Sequence, residues 1–153
     1  MKQGSTLFLR SVIYLIGLAV LTLCVIIGGV SISGNAGMYL PVLICMFIAA
    51  IPFFFALHQS LLLLSYIDSN TAFSDLSVKA IQNIKYSAFT ISVLYSAAMP
   101  LIIMVAEKDD APGAVLIGLV FIFAPLITGV FAAVLQKLLQ NAIDIKSEND
   151  LTV

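Results

Sequence analysis

The stretch from Met38 to Ile67, MYLPVLICMFIAAIPFFFALHQSLLLLSYI, contains no Asp, Glu, Lys or Arg and decides the fold. Three further uncharged runs accompany it, at Ser11 to Ser31, Tyr86 to Ala106 and Ala111 to Gln136. A helix needs about 20 apolar residues to cross the hydrocarbon core of a bilayer, and each run is that long. The sequence therefore predicts an all-α membrane protein with four transmembrane helices in a single domain, residues 1–153, with spans at about 10–31, 39–66, 86–106 and 113–136.

The composition argues against a soluble protein. Hydrophobic residues make up 61% of the chain and charged residues only 10%, whereas about a quarter of a soluble domain is charged. Four helices without a polar face could not be covered by a chain this short. The net charge of −1 argues against direct nucleic-acid binding, which needs a basic patch. The first run exceeds the apolar region of a secretory signal and lacks a cleavage site, so we expect a retained helix.

The distribution of basic residues predicts the orientation. Six of the seven Lys and Arg residues lie at the N-terminus, in the second connection or at the C-terminus, namely Lys2, Arg10, Lys79, Lys85, Lys137 and Lys146. Lys108 alone lies in the acidic third connection, EKDDAP. Because cytoplasmic loops carry an excess of Lys and Arg, both termini and the middle connection are predicted to be cytoplasmic.

The middle connection has the pattern of an amphipathic helix. Ser74 is a suitable N-cap, and Asp75 places an acid in the first turn. The apolar residues that follow share one face, formed by Phe73, Leu76, Ala80, Ile81 and Ile84. We therefore expect an amphipathic cytoplasmic helix at the inner surface that runs into the third span.

Similar sequences lie near the ends of the second and fourth spans and after them, and suggest an internal repeat. The matched pairs are Gln59-Ser60-Leu61-Leu62 with Gln136-Lys137-Leu138-Leu139, Ile67-Asp68 with Ile143-Asp144, and Asp75-Leu76-Ser77-Val78 with Asp150-Leu151-Thr152-Val153. Two helices between copies preserve the orientation of the repeat. The pattern predicts two duplicated helical hairpins related by an axis along the membrane normal, with similar local conformations in residues 68–79 and 144–153.

The sequence contains no motif of a known active site. H-E-x-x-H, a Walker loop, G-x-G-x-x-G and C-x-x-C are all missing, so we expect no catalytic residues, no cofactor, no metal and no enzyme activity. His58 and Gln59 are polar residues within the second span. A metal site or proton relay usually needs a partner. We therefore interpret His58 as a neutral imidazole, hydrogen-bonded between helices or to the interface.

Other residues leave two interpretations open. Cys24 and Cys45 lie at similar predicted depths, either as a disulfide or, as we favour, as two free thiols. Pro52, Pro100 and Pro125 lie inside spans and create a hinge or are simply tolerated.

Two sets of acidic residues also have alternative interpretations. Asp68, Asp75 and Asp144 either form a paired acid site or lie near helix ends as caps and solvated groups. In the third connection, the acids either bind an external cation or are solvated; these are Glu107, Asp109 and Asp110.

Four stretches carry a resemblance to a known family. They are LRSVIYLIGLAVL at Leu9 to Leu21, AAIPFFFAL at Ala49 to Leu57, SYIDSNTAFSDLSVKAIQNIKY at Ser65 to Tyr86, and SENDLTV at Ser147 to Val153. The chain resembles the bacterial membrane family called domain of unknown function 2975. That resemblance implies a four-span protein of the bacterial plasma membrane and no assigned activity. It also implies a partner, since members are often encoded beside a small helix-turn-helix transcriptional regulator.

The polar sequence at the predicted cytoplasmic side favours a function there. Our first hypothesis is a non-enzymatic adaptor or sensor in the lipid bilayer that acts through its cytoplasmic loop and tail on such a regulator. The predicted partner-binding residues are Asp68, Asp75, Leu76, Lys79, Asp144, Asp150, Leu151 and Val153. The alternative is a small transporter, channel or toxin-immunity component that acts as a homo-oligomer, since one short chain without charges in its spans cannot enclose a polar path.

Overall fold

The computed structural model describes residues 2–34, 37 and 40–152, with side chains from Thr6 to Leu151. These residues form four helices: α1 (Lys2–Ser33), α2 (Leu40–Asp68), α3 (Asp75–Lys108) and α4 (Gly113–Thr152). Each helix contains a stretch that is long and apolar enough to cross a membrane. The prediction of an all-α membrane protein with four transmembrane helices is therefore confirmed.

The helices pack as antiparallel neighbours in chain order. α3 lies between α2 and α4 and packs extensively against both, whereas α1 contacts α2 more sparsely. Side-chain contacts join Arg10 to Asp68 and Lys85 to Gln136. Both termini and the α2–α3 connection therefore lie at one end of the bundle. We call residues 2–12, 61–85 and 135–152 the basic end; its cytoplasmic location stays a prediction.

Small residues form the interface between α3 and α4. Gly129 lies so close to Phe89 that an added Cβ would be 2.7 Å from the Cε1 atom of the ring. Gly118 lies similarly near the Met99 sulfur, at 3.1 Å from an added Cβ. Ala98 is 1% exposed. Close backbone approach at small residues is the usual way in which helices associate in membranes, where large apolar side chains face lipid.

α2 ends in a Schellman motif. Asn70 has a φ of 61°, in the left-handed region that few residues other than Gly adopt. The Thr71 N–H donates to the Tyr66 carbonyl at 2.8 Å, and the Asn70 N–H donates to the Ile67 carbonyl at 3.2 Å. These two bonds satisfy carbonyl groups that a helix C-terminus otherwise leaves free.

The same motif ends α3. Asp110 has a φ of 52°. The Ala111 N–H donates to the Ala106 carbonyl at 2.8 Å, and the Asp110 N–H donates to the Glu107 carbonyl at 3.4 Å. Pro112 follows directly and cannot continue the helix, which fits its place between α3 and α4.

The three internal prolines do not end their helices. Pro52, Pro100 and Pro125 lie inside α2, α3 and α4 respectively. α3 bonds to the backbone of α4 near the last of these prolines, because the Ser92 hydroxyl donates to the Ile122 carbonyl at 2.9 Å. The carbonyl that loses its helical donor to Pro125 is that of Phe121, four residues earlier, so this bond joins two helices and does not replace the bond that the proline removes.

The predicted connection helix is the first part of α3, which is continuous from Asp75 to Lys108. Ala80 and Ile81 are buried as one side of its predicted apolar face, whereas Phe73 and Leu76 are 57% and 55% exposed. The helix runs into the third span, and its predicted amphipathic character at the inner membrane surface stays a prediction.

The expectation of similar local conformations in the two repeat segments is wrong. Ile67-Asp68 ends α2, but Ile143-Asp144 lies within α4, which continues to Thr152. The difference has a local cause, since Asn70 adopts the left-handed conformation that terminates α2, whereas the residues after Asp144 continue the helix. The packing of α1 on α2 is also sparser than that of α3 on α4. The duplication of the hairpins itself stays a prediction.

Candidate functional site

Asp68 joins α1 to α2 at the basic end. Its Oδ1 atom accepts a hydrogen bond from the Thr6 hydroxyl at 2.6 Å. Its Oδ2 atom lies 3.2 Å from Arg10 Nη2, in an ion pair whose side chains are 24% and 31% exposed respectively. Thr6 is 5% exposed. Asp68 was predicted as a partner-binding residue, and the structure shows its carboxylate engaged within the chain.

A polar layer connects α2, α3 and α4 near the same end. Asn83 Nδ2 donates to the Gln59 Oε1 atom at 3.2 Å, and Lys85 Nζ donates to the Gln136 Oε1 atom at 2.9 Å. Lys85 also lies over the ring of Tyr86, 4.7 Å from its centroid. Asn83 and Lys85 are two positions apart on α3, so the two glutamines lie at similar heights. The sequence identified Gln59 as an intramembrane polar residue but gave no sign of its partner.

The α2–α3 connection is fixed by side chains that bind its own backbone. Ser77 is fully buried, and its hydroxyl donates to the Thr71 carbonyl at 3.2 Å. The Ser74 hydroxyl donates to the same carbonyl at 2.6 Å. Ser74 occupies the predicted N-cap position of α3, but its side chain forms no capping hydrogen bond. The connection is therefore a defined structure and not a loose loop.

The remaining predicted partner-binding residues lie on exposed surfaces of two helices. Asp75, Leu76 and Lys79 are exposed on the first turns of α3, and Asp144, Asp150 and Leu151 are exposed on the last turns of α4. Val153 lies outside the described residues.

Asp144 lies near the level of the start of α3, and the end of α4 extends further. From the contact between Lys85 and Gln136, Asp75 is about 15 Å and Asp144 about 12 Å further along their helices, at a rise of about 1.5 Å per residue. Asp150 and Leu151 are about 21 and 23 Å from the same contact. Gln140 Nε2 donates to the Asp144 Oδ1 atom at 3.3 Å.

A groove of about 360 Å³ separates α1 from α2. Its lining includes Tyr14 and Gly17 on α1, and Phe54 and His58 on α2. The His58 side chain is exposed, and within the described residues its imidazole forms no hydrogen bond. Among the described residues, the expected hydrogen bond from His58 to another helix is therefore not formed, because His58 faces the groove and not the polar layer. The expected bond to the membrane interface stays a prediction.

The two cysteines and the acidic residues were each given two interpretations. Cys24 and Cys45 are half-buried free thiols, so the disulfide is not formed. Among residues 2–34, 37 and 40–152, no three His, Cys, Asp or Glu side chains are arranged to hold a metal ion. Neither predicted acidic set, at the basic end or in the third connection, therefore has this arrangement.

Comparison with known proteins agrees with this architecture. The family model described as protein of unknown function (DUF2975) matches residues 29–153. An uncharacterized membrane protein of Bacillus subtilis (strain 168), YoaS, is 52% identical over 160 residues, with 100% of both chains covered. No solved structure matches the chain. The four apolar helices and these two matches show that the chain is a membrane protein of the DUF2975 family.

Proposed function

We propose that this protein is a non-enzymatic adaptor or sensor of the bacterial plasma membrane. It acts through the basic end, with both termini and the α2–α3 connection in the cytoplasm. The excess of Lys and Arg at this end supports the orientation. The main observation that supports the proposal is that α4 is longer than a helix needs to be to cross a bilayer.

α4 has 40 residues, and about 20 of them suffice to cross the hydrocarbon core. About 30 Å of helix, at about 1.5 Å per residue, therefore extends beyond the basic end of the membrane. This extension exposes apolar side chains outside the lipid, with Ile145 66% exposed and Leu151 82% exposed. Apolar surface in water is unfavourable by about 25 cal/mol per Å², so a protein that covers it gains binding free energy.

The first turns of α3 add exposed apolar surface at the same end of the bundle. Leu76 is 55% exposed, and the charged side chains of Asp75 and Lys79 flank it. Apolar contacts surrounded by charges of both signs are typical of a protein interface. A small cytoplasmic regulator, the partner implied by the family resemblance, would contact Leu76 on α3 and Leu151 on α4.

The interior of the bundle gives less support to a transporter or channel. Within the described residues, every buried side-chain nitrogen or oxygen has a hydrogen-bond partner. Gln59 bonds to Asn83 and Gln136 to Lys85, so these groups connect helices and do not line an open path. The alternative, including a toxin-immunity component, would require a homo-oligomer that encloses the path between copies.

Affinity purification in mild detergent tests the adaptor. We expect a discrete cytoplasmic protein to co-purify with the full-length chain and to be lost when Asn149 to Val153 are deleted. Membrane insertion should be unchanged, because the helices satisfy their own backbone hydrogen bonds. The point variant Leu151→Asp should have the same effect as the deletion.

The matched control is Ile32→Asp, which changes a side chain that is 90% exposed at the opposite end. It should retain the same partner. A truncated protein that stays folded and captures that partner would contradict the proposal. Ring-shaped homo-oligomers without any bound cytoplasmic protein would favour the transporter.

A further inference from the structure

The groove between α1 and α2 lies in the membrane leaflet at the basic end. α1 ends at Ser33 and α2 begins at Leu40, next to the opposite membrane surface. About 20 helical residues cross the hydrocarbon core. Counted from those two ends, the boundary of the core falls near Tyr14 on α1 and near His58 on α2. The apolar part of the groove is therefore within the hydrocarbon, and its two polar side chains are at the level of the headgroups.

The chemistry of the lining changes along the groove. Gly17, Leu18, Leu21 and Phe54 provide an apolar channel on the hydrocarbon side. Gly17 lies at the floor of the groove, where α1 approaches α2 closely: an added Cβ would lie 3.3 Å from the Leu57 Cδ1 atom. The volume of about 360 Å³ is within the range of sites that bind small ligands. This part matches an acyl chain.

The other end of the groove provides hydrogen-bond donors. The Tyr14 hydroxyl and the His58 imidazole line it, and Arg10 lies one helical turn beyond Tyr14 with its side chain 31% exposed. The Asp68 carboxylate, which lies near this end, is occupied by Thr6 and Arg10. An imidazole at the edge of the hydrocarbon without a partner among the described residues is unfavourable unless something else satisfies it. The hydroxyl and imidazole donors match the acceptor oxygens of a phosphate.

We propose that this groove binds one phospholipid of the leaflet at the basic end, with an acyl chain between α1 and α2 and the phosphate at Tyr14 and His58. This proposal does not depend on the adaptor function.

The chain contains no Trp, so a single introduced Trp reports on one place. We would place it in the groove with Phe54→Trp and, as the matched control, on the lipid-facing side of α4 with Phe131→Trp, where the native ring is 63% exposed. Each variant is reconstituted in vesicles of digalactosyldiacylglycerol, a bilayer lipid without phosphate, that contain increasing amounts of phosphatidylglycerol with brominated acyl chains. We expect half-maximal quenching at about a tenfold lower mole fraction for Phe54→Trp, from one hydrogen bond to a charged group.

Three further measurements test the assignment of the two ends. The difference should disappear with brominated diacylglycerol, which has the chains but no phosphate, and in Phe54→Trp combined with His58→Leu. It should also disappear with Gly17→Leu, which fills the channel, but not with Gly29→Leu, which has open space around it on the same helix. Equal quenching curves at the two reporters would overturn the proposal. A difference that persists with diacylglycerol or with His58→Leu would overturn the phosphate site.

Discussion

At the scale of single residues, the contact between Gly129 and Phe89 is the closest approach of α3 and α4 at a glycine. We expect Gly129→Ala to lower the free energy of unfolding by about 1–3 kcal/mol, the usual cost of overpacking, because the new Cβ would lie 2.7 Å from the Phe89 ring. Thermal unfolding in detergent, followed with a thiol-reactive dye at the two cysteines, measures this change.

Two variants serve as controls for Gly129→Ala. Gly29→Ala, where an added Cβ meets nothing within 4 Å, should leave the melting temperature unchanged or raise it slightly, because Ala favours helix over Gly. Phe89→Leu should recover part of the loss when combined with Gly129→Ala. A fully stable Gly129→Ala protein would show that the two helices separate at little cost.

Asn70 is the second residue whose backbone makes a specific demand. Because its φ is 61°, Asn70→Gly should be neutral or stabilise the protein by a few tenths of a kcal/mol, whereas Asn70→Val should destabilise it by about 1–2 kcal/mol. The same thermal assay compares the two variants. Equal melting temperatures would mean that the Schellman motif at the end of α2 does not contribute to stability.

At the scale of helices, Ser92 joins α3 to the backbone of α4. Loss of the hydroxyl in Ser92→Ala should cost about 0.6 kcal/mol, the average for hydrogen bonds between membrane helices, because the bond to the Ile122 carbonyl is lost. In a Pro125→Ala background the cost should be unchanged, since the N–H of an alanine there donates to the Phe121 carbonyl and not to that of Ile122.

Thr128→Ala is the control for Ser92→Ala, because the Thr128 hydroxyl donates to the Ala124 carbonyl of its own helix at 2.9 Å. It should change stability less than Ser92→Ala does. A double-mutant cycle on Ser92 and Pro125 gives the coupling energy directly. We expect a value near zero, and a clearly smaller cost of Ser92→Ala beside Pro125→Ala would show that the proline also weakens the helical bond of the Ile122 carbonyl.

The sequence predicted the helices better than their ends. Long uncharged runs specify helices in a bilayer, since no other open structure satisfies the backbone there. The runs do not show where a helix stops beyond the lipid. α4 was predicted to continue past its membrane span, which was placed at about 113–136, but not as far as Thr152, where it ends. The left-handed conformations of Asn70 and Asp110 were also not predicted, although Asn and Asp are the residues that adopt them most readily after Gly.

At the scale of the whole molecule, the predicted orientation can be tested by labelling. We expect Leu76→Cys and Ser147→Cys, in a chain with both native cysteines changed to Ala, to react with a membrane-impermeant maleimide only after cells are permeabilised. Glu107→Cys should react in intact cells. The basis is the excess of Lys and Arg at the basic end. Ser77 is unsuitable as a labelling site because it is fully buried.

If Leu76→Cys or Ser147→Cys reacts in intact cells, the orientation is opposite to the predicted one. If all three variants react without permeabilisation, the cells leak the reagent. A cytoplasmic protein with an exposed cysteine is the control for such leakage.

The arrangement of the helices was not predictable from their sequences alone. Hydrophobicity shows that α1 to α4 enter the membrane, but lipid is as apolar as the helices, so hydrophobicity does not select neighbours. Small residues do select them, and α3 buries Ala80, Ala88, Ala98 and Ala106. For the candidate site, the sequence predicted partner-binding residues such as Leu151, and that role stays a prediction. The engagement of Asp68 by Thr6 and Arg10 was not predicted, because it depends on contacts between distant parts of the chain.

The central position of α3 has a consequence for biosynthesis. α1 and α2 leave the ribosome first, but they pack sparsely on each other. α3, on which α2 packs more extensively, is translated only after the α2–α3 connection. The first hairpin is therefore incompletely packed until then, and Gln59 lacks its hydrogen bond to Asn83. Insertion machinery that retains early helices until the third one is complete would protect this polar group during that interval.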